Sequence, residues 1–467
     1  MKRKTGKFNA LCGAVLLALA LAGCGAPAGN EADAEKTAGN SGIQVTVEPG
    51  KEESPGGAQS PDGADKEQSS AGADNTQSPA GADNGQSPDG TDNTQNPAGA
   101  DNTQNAAGTD EAQTVVLNEE TVKLLGRTQL MLDKNLLCAF SGSGVEFDFT
   151  GRKLEVTLQG DSAANAQHPE NCARVAIYVD DERVQDIMLT SKRLTVTVTD
   201  SEEVQTVRVR IVKLSETAMS NVAIRPIELQ GGESIRPAED RAHTIEFIGD
   251  SITCGYGVDD EDRNHHFSTE TEDVTKAYAY KTAQALDADY SMVSISGYGI
   301  ISGYTNDPSK KSESQRLPDY YEKLGNSSAS YGSGIRPQTI KWDFARFVPE
   351  VVVINLGTND ASYCGQDAAK QQEYVDGYVA FLKTIREKNP DAEIFCALGI
   401  MGQDLCAAME RACEQYMAET GDSRVHSLRF AAQDGSLGIA ADWHPTEATH
   451  AQAAELLAKT IRDVMGW

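Results

Sequence analysis

The spacing of apolar positions divides the chain into stretches of different period. Residues 115–235 follow period two. Val145, Phe147 and Phe149 alternate with Glu146 and Asp148, and Leu154, Val156 and Leu158 resume the pattern after Gly151-Arg152, which reads as a turn. Val175, Ile177 and Val179 lead into an acidic turn at Asp180-Asp181. Leu194, Val196 and Val198 alternate with threonines, and Val207, Val209 and Ile211 alternate with arginines. Such alternation turns one face of each strand to a core and the other to water, which predicts an antiparallel β-sandwich.

Residues 240–467 read differently. Short apolar runs at 245–248, 291–295, 351–355, 393–398 and 425–428 alternate with helical periods at 276–286, 367–388, 405–420 and 447–465. The run Val351-Val352-Val353-Ile354 has the unbroken apolar character of a central parallel strand. Strands alternating with helices predict a doubly wound α/β domain, flavodoxin-like, with its site beyond the carboxyl ends of the strands. The polar stretch 304–339 is expected to be a loop insertion that shapes the cleft.

Residues 24–114 carry almost no large apolar side chain. Asp65, Asp74, Asp83, Asp92, Asp101 and Asp110 recur every nine residues, in units such as Asp74-Asn75-Thr76-Gln77-Ser78-Pro79-Ala80-Gly81-Ala82. With nothing apolar to stack, these repeats cannot offset their ordering entropy, so a disordered acidic tether is expected rather than a solenoid. Ahead of it, residues 1–23 have the basic start Met1-Lys2-Arg3-Lys4 and an apolar run from Leu11 to Ala22, the make-up of an export signal. Leu21-Ala22-Gly23-Cys24 resembles a bacterial lipobox. That resemblance implies lipidation of Cys24, and with it an extracellular protein attached to the membrane only through its lipid anchor.

A formal net charge of −29 argues against a nucleic-acid partner. Nine cysteines are present, with no Cys-x-x-Cys and no zinc spacing, so no metal or other cofactor is expected. Those beyond Cys24 read mostly as small buried side chains, Cys138 with Cys172 being the one pair considered for a disulfide.

The chemistry gathers at the strand ends. Gly249-Asp250-Ser251 follows the first strand, Ser296-Gly297-Tyr298 the second, Gly357-Thr358-Asn359-Asp360 the third, and Asp442-Trp443-His444-Pro445 the fifth. Acyl transfer needs a hydroxyl nucleophile, a base to take its proton, and donors for the oxyanion. Ser251 and His444 supply the first two. The Ser251 N–H, the Gly297 N–H and the Asn359 side-chain amide are candidate oxyanion donors. No Gly-x-Ser-x-Gly elbow occurs, which disfavours an ordinary α/β-hydrolase.

Serine, glycine, asparagine and histidine in this order, at Ser251, Gly297, Asn359 and His444, resemble the SGNH (GDSL-like) hydrolase superfamily. The preceding β-sandwich, with Gly-Asp-Ser-Ile-Thr-Cys-Gly-Tyr-Gly and Ala-Asp-Trp-His-Pro, looks like carbohydrate esterase family 2. The resemblance implies a jelly-roll N-terminal domain and a metal-independent acetylesterase acting on polysaccharides such as xylan or glucomannan. A monomer is expected. The superfamily pattern has an aspartate three residues before the histidine, where this chain has Ala441; Asp442 lies two before. His444 is therefore expected to be oriented either by a backbone carbonyl or by Asp442 reaching round. Trp443 is a candidate sugar platform, with Tyr298 and Tyr256 as weaker ones. A lipase or thioesterase on the same scaffold, a peptidoglycan O-acetylesterase, and a non-enzymatic carbohydrate-binding surface protein are the competing readings.

Overall fold

Two long strands organise the N-terminal domain, Gly144–Gly160 and Arg193–Lys213. In the computed structural model, which describes residues 112–467, they pair antiparallel at the centre of a nine-stranded sheet. Residues 1–111, with the leader, the lipidation candidate Cys24 and the nonapeptide repeats, lie outside the described residues. The sheet runs Thr128–Leu130, Leu136–Cys138, Val222–Ile224, Gly144–Gly160, Arg193–Lys213, Arg174–Val179, Glu182–Met188. Lys123–Leu125 and Ser234–Pro237 pair onto Gly144–Gly160, and Gln113–Val115 pairs with Ile227–Leu229 in a separate two-stranded sheet. The domain is antiparallel β, as its period predicts.

The turn expected at Gly151-Arg152 is instead a bulge inside one strand. Gly151 pairs with Gln205 and Lys153 with Asp200, so residues 201–204 stand out opposite Arg152. The bulge explains the change of phase in the sequence. Val145, Phe147 and Phe149 are odd-numbered and Leu154, Val156 and Leu158 even, yet all of them lie in one core. A register shift restores a side-chain face that strict alternation would lose.

Five parallel strands form the second sheet, in the order Ala288–Ser294, His243–Gly249, Val351–Asn355, Glu393–Leu398, Val425–Arg429. Alternate residues of the central strand serve two cores. Val352 and Ile354 pack with helices Ala368–Lys388 and Cys406–Thr420. Val351 and Val353 pack with helices Tyr278–Ala285 and Glu447–Met465. Strand order two-one-three-four-five places a topological switch point between His243–Gly249 and Val351–Asn355, where such sheets open a crevice.

The two domains share buried polar contacts. Arg127 is fully buried; its guanidinium donates to Glu246 at 3.1 Å and to the Lys323 carbonyl at 2.9 Å, and reaches the Tyr321 carbonyl. Tyr321 Oη donates to the other oxygen of Glu246 at 2.8 Å. Arg127 thus pins the loop 304–339 to the first parallel strand. All seven described cysteines are buried free thiols, so Cys138 and Cys172 are not bridged. No helix among the described residues is long and apolar enough to cross a membrane.

Candidate active site

Strand His243–Gly249 delivers Ser251 to the switch point. Asp250 caps the short helix Ser251–Cys254, its side chain accepting from the Ile252 N–H at 3.1 Å. An aspartate N-cap contributes about 1 kcal/mol to a helix start. The turn is tight: a Cβ on Gly249 would lie 2.0 Å from Thr253 Oγ1. Gly255 ends the helix at φ 79°, and Gly257 at φ 61° passes so close to Ala441 that a Cβ there would sit 2.7 Å from the alanine Cβ. The glycines of the Gly255-Tyr256-Gly257 motif thereby let the serine loop lie against the histidine loop.

His444 Nε2 lies 2.8 Å from Ser251 Oγ, and its Nδ1 lies 3.2 Å from the Ala441 carbonyl oxygen. With that carbonyl accepting the Nδ1 proton, Nε2 is left free to accept from the serine. Both side chains are nearly buried, Ser251 at 6% and His444 at 8% exposure. Burial pushes the imidazole pKa from the usual 6.5 down to about 4, which keeps it neutral near pH 7.

Asp442 does not reach the imidazole. It has φ 47°, and its carboxylate accepts from Tyr256 Oη at 2.5 Å and from the Phe267 N–H at 3.1 Å, with His266 Nδ1 2.8 Å away. Of the alternatives for orienting His444, the geometry has the backbone carbonyl. The turned-out carboxylate instead holds Tyr256, whose ring stacks on His444 at 3.9 Å between centroids and 19° between planes. One face of the Tyr256 ring is thus taken up by the base, and Phe267 packs against the ring at 4.9 Å between centroids.

Asn359 follows strand Val351–Asn355 and is buried. Its Nδ2 donates to the Tyr298 carbonyl at 2.8 Å and lies 3.3 Å from Asp250 Oδ2. Asp250 thus ties the serine block to the asparagine block; burial pushes its pKa up to about 7. Asp360 accepts from the N–H groups of Ile300, Ile301 and Ser302 at 2.8 to 3.0 Å, clamping the loop after Gly297. Gly297 has φ 80°, a conformation glycine adopts freely. Among the described residues, neither the Ser251 N–H nor the Gly297 N–H donates to a protein acceptor.

Trp443, next to His444, is 56% exposed, and the Arg263 guanidinium lies 4.7 Å from its ring centroid. Tyr298, by contrast, is buried in the core, its hydroxyl accepting from Asn326 at 2.7 Å and its ring edge-on to Tyr320. A ring so enclosed has no open face for a sugar, which corrects the expectation for Tyr298. Tyr256 as the partner of His444 was not evident from sequence, and the backbone carbonyl expected as one alternative could not be assigned to Ala441. A carbonyl is carried by every residue, so only the chain path reveals it.

Residues 247–452 match the GDSL-like Lipase/Acylhydrolase family, and residues 124–238 match Carbohydrate esterase 2 N-terminal. The chain is 32% identical over 334 residues to the Cellulase/esterase CelE of Acetivibrio thermocellus, a match covering 71% of this chain but only 38% of that protein. It is 27% identical over 361 residues to an acetylxylan esterase / glucomannan deacetylase of Cellvibrio japonicus, covering 76% of this chain and 92% of the relative. A solved family two carbohydrate esterase from Clostridium thermocellum, in complex with cellohexaose, superposes with a TM-score of 0.63 at 29% identity, over 74% of this chain and 99% of that one. The chain is therefore similar to a carbohydrate esterase 2 N-terminal domain over residues 124–238 and to a GDSL-like hydrolase over residues 247–452.

Proposed function

We propose that the protein is a carbohydrate acetylesterase that removes O-acetyl groups from a polysaccharide, hemicellulose being the favoured class. The observation that carries the reading is the 2.8 Å approach of Ser251 Oγ to His444 Nε2, beside two backbone N–H groups with no protein acceptor. Ser251 attacks the acetyl carbonyl while His444 takes its proton. The Ser251 and Gly297 N–H groups meet the oxyanion, and the Asn359 amide joins them by giving up its 3.3 Å contact with Asp250 Oδ2. His444 protonates the departing sugar oxygen, leaving an acetyl-serine. Water, deprotonated by His444, attacks this ester and frees acetate and Ser251. The half-exposed Trp443 beside the base offers a face to the glycan. A relative solved with cellohexaose supports a glycan as the alcohol part of the ester.

The reading extends to location. The leader and the lipobox-like Cys24 support export and attachment to the outer face of a bacterial membrane. Loss of lipid labelling in Cys24→Ala would test that part.

The test of function is acetate release from acetylated xylan, glucomannan and peptidoglycan by wild type and Ser251→Ala. Release from the hemicelluloses by wild type alone is expected. Release by both proteins would remove Ser251 from its role. Faster hydrolysis of long acyl esters than of acetyl would favour a lipase, and release from peptidoglycan alone would move the substrate class.

A further inference from the structure

A buried carboxylate from the N-terminal domain ends against the second strand-end loop of the hydrolase domain. Glu216 follows strand Arg193–Lys213 and is 1% exposed. Its Oε2 accepts the Ser296 N–H at 2.6 Å, one residue before Gly297. The same oxygen lies 3.6 Å from Cys254 Sγ, on the helix that begins with Ser251. We infer that Glu216 is a positioning residue of the oxyanion hole, contributed by the N-terminal domain. The inference rests on the role proposed above for the Gly297 N–H.

The segment Ser296 to Tyr298 is tied at three further backbone groups. The Gly297 carbonyl accepts from the Tyr304 N–H at 2.9 Å, the Tyr298 carbonyl accepts from Asn359 at 2.8 Å, and the Tyr298 N–H donates to Ile295 at 3.3 Å. Glu216 closes the set on the Ser296 side. With the groups on both sides of it fixed, the Gly297 N–H has few directions to point. A preorganised donor stabilises an oxyanion because it need not reorient during reaction.

Glu216 is itself held rigidly. Its backbone N–H donates to Glu272 Oε2 at 2.8 Å, and its carbonyl accepts from Lys213 Nζ at 2.8 Å. Glu216, Glu272 and Lys213 are all buried. Burial pushes the Glu216 and Glu272 pKa values up and that of Lys213 down to about 8, so the three groups titrate against one another. Glu216, Cys254 and Glu272 lie close enough together to be read as metal ligands. That reading fits poorly. Glu216 Oε2 is spent on Ser296, a lysine ammonium adjoins the cluster, and burial raises the Cys254 pKa well above 9, keeping the thiol protonated.

The experiment compares Glu216→Gln, which keeps an acceptor oxygen, with Glu216→Met, which has none. Hydrolysis of p-nitrophenyl acetate and inactivation by an organophosphonate are measured, the phosphonate adduct placing a tetrahedral oxygen in the same hole. For the Met variant, kcat and kcat/KM should fall together by about 10-fold or more with KM little changed, a part of the ~10²–10³ lost when an oxyanion donor is removed outright. The phosphonate rate should fall in parallel, and Gln should restore most of both. A folded Met variant with wild-type kcat, or a kcat loss that leaves phosphonate inactivation untouched, overturns the inference while leaving the esterase reading intact. Should the Met variant not fold, the wild-type protein still decides. The Ser296 amide proton should resonate far downfield and exchange slowly, as a short bond to a buried carboxylate demands; a fast-exchanging, unshifted Ser296 amide overturns the inference. A wild-type protein inert to both reagents would instead sink the esterase reading.

Discussion

Tyr256 lies flat on His444, with ring centroids 3.9 Å apart, and its hydroxyl is bonded to Asp442. The carboxylate that sequence position suggests as a triad member thus acts on the base through an aromatic ring. The imidazole Nδ1 has a backbone carbonyl instead.

This arrangement fixes what Asp442 substitutions should do. Loss of a true triad aspartate lowers kcat by about 10⁴. Here Asp442→Asn keeps a side chain suited to φ 47° and an acceptor for Tyr256, so kcat should stay within about 10-fold of wild type. Asp442→Ala should lose somewhat more, through a looser Tyr256, yet far less than 10⁴. Steady-state kinetics on a small acetyl ester check this; a 10⁴ loss in the Asn variant would restore the triad.

Gly257 offers an independent test of the carbonyl's role. A Cβ there would meet the Ala441 Cβ at 2.7 Å, from a backbone already at φ 61°. Gly257→Ala must push the Ala441 segment, and with it the carbonyl that holds His444. The expected result is a kcat reduced by about 10-fold or more, together with about 1–2 kcal/mol of lost stability from the left-handed backbone. Kinetics and thermal unfolding of the variant separate the two effects. Unchanged kcat in a folded variant would count against the carbonyl as the orienting group.

Much of this was legible in sequence because it rests on local periodicity. The alternation across 115–235 and the apolar runs of the parallel strands follow from which face is buried, and the structure has the strands Val351–Asn355 and Glu393–Leu398 and the helix Glu447–Met465 where the pattern puts them. Gly151-Arg152 misled because a bulge and a turn share the same glycine-bearing signature, and only the partner strand tells them apart. Ser251, Gly297, Asn359 and His444 were legible as strand-end residues. Glu216 was not, since no local pattern tells which domain's carboxylate will meet the Ser296 N–H.

The pH dependence follows from the buried imidazole. His444 must be neutral to accept the Ser251 proton, so activity requires pH above its pKa. Burial lowers that pKa from 6.5 to about 4. The acid limb of kcat/KM should therefore fall near pH 4, and activity at pH 5.5 should remain close to that at pH 7, where an unperturbed histidine would have lost about nine-tenths. A pH-rate profile checks it; an acid limb near 6.5 would mean that the imidazole is better solvated than its burial implies.

Trp443 should separate binding of polymer from chemistry. It is half-exposed beside His444 and makes no hydrogen bond to the imidazole through its side chain. Trp443→Ala should raise KM for an acetylated polysaccharide about 3- to 10-fold, the worth of one aromatic face at about 0.5–1.5 kcal/mol. On p-nitrophenyl acetate, which has no sugar ring to stack, kcat/KM should change little. Equal losses on both substrates would make Trp443 a support for the histidine loop instead.

Arg127 tests whether the N-terminal domain is needed for the hydrolase fold itself. Its guanidinium is fully buried and satisfies Glu246, on the first parallel strand, together with carbonyls of the loop 304–339. Removing one partner of a buried ion pair strands the other charge, at a cost of about 3–5 kcal/mol. Arg127→Met should therefore destabilise the protein by that order, and Arg127→Met with Glu246→Gln should recover part of it, because no unpaired carboxylate then remains. Denaturant unfolding of both variants measures the coupling. If the single and double variants lose the same stability, the Glu246 charge is not what Arg127 balances, and the guanidinium matters through its bonds to the loop carbonyls alone.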